Sequence, residues 1–227
     1  MFKMQKEVYK IMKKYDVIAF DLDGTLTNPE RGLIASFVYA FKKMGIEYGE
    51  KSELKRFIGP PIYEAWQKEF GLTPEESAKA LLIFREFFSV YGWWDNELYA
   101  GVPEMLAALK AKGKKIILAT SKPEIFALKI VDLFGIKKYF DFVGGAATDK
   151  TRDKKSEVLE YALSAIGNPE RDKCILVGDR IYDAEGALAC GIDSMGVLYG
   201  HGSEDEIKNA PFTLIAKTVA DIDKLLI

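Results

Sequence analysis

The sequence holds a single histidine, His201, in 227 residues. It sits between glycines in Tyr199-Gly200-His201-Gly202-Ser203, so a mechanism built on a histidine base would hang on one loop residue. Cysteine is nearly as scarce. Cys174 and Cys190 fall in stretches that read as a strand and a helix. They read as small core residues in a reducing, cytoplasmic compartment, not as a disulfide framework. No apolar run approaches the ~20 residues of a membrane-spanning helix, so no span is expected. The lysine-rich N-terminus lacks the long apolar stretch and small-residue cleavage site of a secretory signal. Neither charge sign is in excess. At a net charge of −2, the chain makes no global electrostatic case for nucleic acid. Internal repeats and low-complexity tracts are also absent from the sequence.

What is present is an ordinary globular balance, 48% hydrophobic and 29% charged. The length suits one sizeable domain, or a domain carrying an inserted subdomain. The chain is organised around residues 14–28, KYDVIAFDLDGTLTN. Val17-Ile18-Ala19-Phe20 has no helical period and reads as a strand buried on both faces. It ends on Asp21 and Asp23, which share a side if strand geometry persists. Their mutual repulsion calls for a compensating charge, which a divalent cation supplies. Gly24 lets the backbone turn sharply there. One carboxylate can attack an electrophile while the other donates and then accepts a proton. The alternative is a strand followed by an Asp-Gly turn with a merely capping aspartate.

Residues 1–14 carry five lysines against one glutamate, with Phe2, Val8, Ile11 and Met12 interspersed. They read as a helix packed on its own domain or a frayed terminus rather than a membrane-surface helix. From Pro29 to about Tyr99 the pattern is all-helical. Leu33, Ile34, Phe37, Val38 and Phe41 recur at helical spacing. Ser52 reads as an N-cap and Gly59-Pro60-Pro61 as a rigid turn. Thr73-Pro74-Glu75-Glu76 opens a further helix. So long an interval without a clear strand implies an inserted helical subdomain. From Gly101 strands and helices alternate, with strands at Lys115–Ala119, Tyr139–Gly144, Lys173–Val177, Asp193–Val197 and Phe212–Ile215. The expected fold is α/β: a Rossmann-like, doubly wound, mostly parallel sheet formed by residues 1–28 and 100–227, with an all-helical cap at 29–99.

The polar clusters Asp21/Asp23, Thr120/Ser121 and Asp179 all fall at the C-terminal ends of expected strands. Ligands bind at that edge of open α/β sheets. The Thr120 hydroxyl and nearby N–H groups suit phosphate oxygens, with a helix N-cap as the alternative. Lys154 and Lys155 stand at the entrance of a helix, where a lysine brings a compact cation.

Asp21-Leu22-Asp23-Gly24-Thr25-Leu26 resembles the first motif of the haloacid dehalogenase-like hydrolases, D-x-D-G-T-L. Thr120 resembles the second motif and Lys155 the third; the spacing to Val158 and Leu159 favours Lys155 over Lys154. Gly178-Asp179-Arg180-Ile181-Tyr182-Asp183 resembles the fourth, G-D-x-x-x-D. The resemblance spans most of the chain and is greatest toward phosphoglycolate phosphatase-type enzymes, which FIGPPI and GVLYGHGS also fit. It implies Asp21 as nucleophile, Asp23 as general acid and base, and Thr120, Ser121 and Lys155 on the phosphoryl group. It also implies Mg²⁺ on Asp21, Asp179 and the Asp23 carbonyl, with Asp183 supporting the ion through water or orienting Lys155. Lys55 and Arg56 in the cap are candidates for reading the leaving group. The expected substrate is a small phosphorylated metabolite, phosphoglycolate-like, handled by a monomer or homodimer. Kindred activities are 5′-nucleotidase, pyrophosphatase and phosphomutase. A non-enzymatic Asp-phosphorylated signalling module is the rival from another class, but such modules are shorter and lack an acid at the Asp23 position. Dehalogenases and phosphonate hydrolases need no such acid.

Overall fold

The computed structural model describes residues 15–59, 62–149 and 151–226. The basic segment 1–14 and the Pro60-Pro61 turn lie outside them. Strand β1 (Val17–Phe20) is followed by two short strands, β2 (Thr27–Asn28) and β3 (Glu97–Leu98), which form a two-stranded sheet of their own. Then come β4 (Lys115–Pro123), β5 (Phe142–Ala146), β6 (Cys174–Gly178), β7 (Asp193–Val197) and β8 (Leu214–Ala216). Six of these make one sheet in the order β5-β4-β1-β6-β7-β8, with every pairing parallel. The chain forms two compact units, one ending at Leu26 and resuming at Leu98, the other Thr27–Glu97.

The Thr27–Glu97 unit is built from α1 (Glu30–Met44), a 3₁₀ segment (Lys51–Phe57), α2 (Ile62–Phe70), α3 (Pro74–Phe87) and a π turn (Phe88–Gly92). Strand β3 is the exception to the all-helical span expected at 29–99. Ser52 is not an N-cap: Glu50 takes that position, with no side-chain bond, and the segment is 3₁₀ rather than α. Thr73 does cap α3, in a reciprocal box with Glu76. The unit's core is aromatic. Trp66 packs edge-on to Phe37 at 5.7 Å and Phe41 at 4.9 Å, and Phe84 stacks on Phe37 at 5.4 Å. Such pairs add about 0.5–1.5 kcal/mol each beyond their buried area.

Helices α4 (Val102–Ala111), α5 (Glu124–Leu133), α6 (Lys155–Ala165), α7 (Ile181–Ala189), α8 (Glu204–Asn209) and α9 (Val219–Leu226) flank the sheet unit. Val17 and Ala19 of β1 join Ile117, Ala119 and Leu176 in one cluster under Val158, Leu159, Ala162 and Leu163 of α6 and Ala187 of α7. Alternation sends the fully buried Ile18 and Phe20 to the other face. Burial on both faces explains the unbroken apolar run of β1, each large side chain contributing about 1.5–3 kcal/mol. β1 and β7 keep their expected bounds, those of β5, β6 and β8 shift by one to three residues, and α8 has no clear pattern in the sequence. The informative difference is β4. It does not stop at Ala119 but runs on to Pro123 through a register shift against β5.

Candidate active site

The C-terminal ends of β1, β4 and β6, adjacent in the sheet, deliver the chemistry. β1 leads into Asp21, whose N–H donates to the Val177 carbonyl of β6 at 2.9 Å. The Asp21 side chain is buried at this edge. At Gly24 φ is +86°, and a Cβ there would stand 2.0 Å from Asp179 Oδ2. Both facts demand glycine. The turn after β6 is as tight: a Cβ on Gly178 would meet Asp183 Cγ at 2.2 Å.

Lys155 opens α6 and its side chain reaches Asp21. Its Nζ lies 2.5 Å from Asp21 Oδ1, 2.8 Å from Asp183 Oδ1 and 3.0 Å from the Ala119 carbonyl. Burial pulls this ammonium down, but Asp183 and Asp21 outweigh it and hold the group above the ordinary lysine range. Lys154, by contrast, is exposed. Asp183 is buried and raised above the ordinary carboxylate range by that burial, against the pull of Lys155. It also caps α7, its Oδ2 accepting from the Arg180 N–H at 3.0 Å.

Asp179 is fully buried. Burial first, then Asp183 and Asp21, push its carboxyl well above the usual range. Its partners are the His201 N–H, which donates to Oδ2 at 2.8 Å, and the Thr25 hydroxyl, 3.4 Å from Oδ1. The lone histidine therefore reaches this carboxylate through its backbone. Carboxylate oxygens of Asp21, Asp179 and Asp183 lie within 4.8 Å of one another. Three buried acids facing one lysine leave negative charge uncompensated, and an all-oxygen donor set suits a hard divalent cation such as Mg²⁺. The residues fit the ion. Asp183 belongs to this cluster and also pairs with Lys155 at 2.8 Å.

The Asp23 carboxylate stands outside that cluster. Its Oδ2 accepts from Lys122 Nζ at 2.5 Å, while its Oδ1 is buried without a hydrogen-bond partner among the described residues. Sequence reasoning passed over Lys122, because a lysine beyond an apolar strand reads as solvated surface. Thr120 is buried and caps no helix: its Oγ1 accepts from the Lys122 N–H at 3.2 Å, and Pro123 holds the N-cap position of α5. Ser121 is exposed. Lys55 and Arg56 belong to the Thr27–Glu97 unit. There Lys55 pairs with Glu30 at 2.8 Å, and Arg56 pairs with Glu69 and lies 3.8 Å from Glu53.

A buried carboxylate held by a lysine, a second acid two residues on and an acidic cluster with an all-oxygen donor set thus stand together at one edge of a parallel α/β sheet. Residues 15–191 match the haloacid dehalogenase-like hydrolase family, and the chain belongs to it. The fold is shared by a solved structure from Clostridium difficile that carries a provisional phosphatase name. It is 39% identical, with a TM-score of 0.87 over 95% of this chain and 100% of that one. A 5′-nucleotidase of Pseudomonas aeruginosa is 37% identical over 86% of this chain and 88% of its own. The tyrosine-protein kinase PtkA of Mycobacterium tuberculosis is also 37% identical, over 92% of this chain and 70% of its own. The protein is an enzyme of the phosphatase type within this family. No helix among the described residues is long and apolar enough to cross a membrane.

Proposed function

We propose that the protein is a Mg²⁺-dependent phosphomonoester hydrolase that works through an aspartyl-phosphate on Asp21. The observation that carries this reading is the division of labour between two acids two residues apart. Asp21 is held by Lys155, whereas Asp23 keeps one buried oxygen unpartnered. Asp21 attacks phosphorus in line as the bond from phosphorus to the leaving oxygen breaks, and Asp23 hands its proton to that oxygen. Water then attacks the phosphoryl group, Asp23 takes its proton, and the bond to Asp21 breaks to release phosphate. Lys155 and the Thr120 region face the phosphoryl oxygens. Asp21, Asp179 and Asp183 would hold Mg²⁺, with the Asp23 carbonyl as a further ligand. When bound, the ion neutralises charge on the phosphoryl oxygens.

The substrate is a small phosphorylated metabolite, phosphoglycolate-like by the sequence motifs. The 37% identity to a 5′-nucleotidase favours a nucleoside 5′-monophosphate as the second reading. Arg56 and Lys55 remain the cap's candidates for reading the leaving group. The buried thiols of Cys174 and Cys190, not joined in a disulfide, support a cytoplasmic setting. The test is phosphate release, with Mg²⁺ and with EDTA, from phosphoglycolate, nucleoside monophosphates, pyrophosphate, hexose phosphates and an aryl phosphate. Mg²⁺-dependent release led by one compound supports the reading and names the substrate. Isomerisation of a sugar phosphate faster than its hydrolysis points to a mutase. No release from any compound by folded protein overturns it.

A further inference from the structure

Lys122 is one of the least expected residues in the core unit. Its side chain is 4% exposed, although lysine is rarely buried unless paired. The extension of β4 past Thr120 places it there. In that extension Ser121 is exposed and Lys122 buried, the alternation of a strand carried beyond its apolar part. The Thr120 hydroxyl fixes the Lys122 backbone, and Lys122 Nζ meets Asp23 Oδ2 at 2.5 Å across 99 positions of sequence.

We infer that Lys122 is the positioning residue of the proton-transfer acid: it grips one oxygen of Asp23 so that the other, Oδ1, is the oxygen that exchanges the proton. This rests on the phosphohydrolase reading above. Asp23 lies beyond the end of β1 at an isolated bridge position, and a backbone pairing there does not fix the turn of its side chain. An aspartate in that setting turns about two side-chain bonds, and proton transfer tolerates little misplacement. A buried ammonium on Oδ2 removes that freedom. The two oxygens are unequal for this reason: one is engaged by charge, the other is buried and unpartnered. The ion pair thus plays for Asp23 the part that Lys155 plays for Asp21, each acid held by its own lysine.

The inference separates Lys122 from a phosphate-binding residue, because a residue that acts through Asp23 matters only when the leaving oxygen needs a proton. The experiment compares kcat/KM on phenyl phosphate and on 2,4-dinitrophenyl phosphate, whose leaving group departs without protonation. For Lys122→Met the expected loss is about 10²-fold on phenyl phosphate and under about threefold on the dinitrophenyl ester, the asymmetry of a lost general acid. Lys122→Arg, which keeps the charge, restores most of the phenyl phosphate rate. An equal fall on both esters overturns the inference and makes Lys122 a ligand of the phosphoryl group. If Lys122→Met fails to fold, the comparison moves to Asp23→Asn against Asp23→Asn/Lys122→Met, where no Asp23 carboxylate is left buried without its lysine. Equal rates on phenyl phosphate support action through Asp23, and a further fall in the double variant overturns it. If wild-type enzyme releases phosphate from neither ester, the phosphohydrolase reading itself has failed, a different result from either.

Discussion

Lys155 Nζ sits 2.5 Å from Asp21 Oδ1, although 134 positions separate the two residues in the chain. The parallel sheet makes the meeting possible. β1 and β4 run side by side in register, and the helix that Lys155 opens packs on the face shared by Val17 and Ala19. One buried ammonium thereby serves Asp21, Asp183 and the Ala119 carbonyl at once.

Lys155→Met should remove that ammonium and leave Asp21 and Asp183 buried without it. Breaking a buried pair from one side costs about 3–5 kcal/mol. Denaturant unfolding in EDTA should show a loss of that order. Added Mg²⁺ should recover part of it, because the cation supplies charge to the same carboxylates.

On the proposed mechanism Asp21→Asn removes the nucleophile while keeping the shape of the site. Phosphate release should fall at least ~10³-fold, as when a nucleophile is lost from a catalytic unit. The fold should survive, which circular dichroism checks. Release within tenfold of wild type would exclude Asp21 as nucleophile.

Mg²⁺ should stabilise the native protein specifically. Ligand linkage gives about 2.7 kcal/mol when free Mg²⁺ is about a hundredfold above Kd. Thermal unfolding with and without EDTA measures the shift. Asp179→Asn should remove most of it, since Asp179 is the fully buried member of the acidic cluster.

Gly24→Ala should damage the same site through the backbone. At φ +86° an alanine is strained by about 1–3 kcal/mol, and its Cβ would collide with Asp179 Oδ2. The expected result is a lower Tm together with a higher Mg²⁺ requirement for activity. A variant with unchanged Mg²⁺ dependence would show that the turn does not set the position of Asp179.

Cys190 supplies a pH signature away from the site. Burial first, and then Glu160, push its thiol up to about 12 from an ordinary 9.0. The folded form therefore holds a proton that the unfolded form loses first. The contribution to stability is complete below 9.0 and is lost as pH rises through about 12. The thiolate is the reactive species, so iodoacetamide at about pH 8 should label native Cys190 far more slowly than the unfolded chain.

The residues that announce themselves in the sequence are those whose local pattern is itself unusual. Two aspartates closing a run of buried aliphatics, and Gly178-Asp179 doing the same for β6, can be read because carboxylates at the end of an apolar strand need a reason. The Thr73 cap could be read because capping is decided within four residues. Lys122 is different. Its role comes from a partner 99 positions away and from a strand that outlasts its apolar run, and nothing in Ser121-Lys122-Pro123 marks the lysine as buried. The 3₁₀ form of Lys51–Phe57 and the short helix α8 were hidden for another reason. Their lengths fall below what a helical period can reveal, and packing decides their conformation.

The central claim is that Asp21 becomes phosphorylated during turnover. It is tested most directly by acid-quenching the enzyme during hydrolysis of its best substrate in Mg²⁺, reducing the acyl phosphate with borohydride and mapping the modified peptide by mass spectrometry. The account predicts modification at Asp21 in wild type, none in Asp21→Asn and none in EDTA. Modification at another residue, or steady turnover with no trapped acyl phosphate at Asp21, would contradict it.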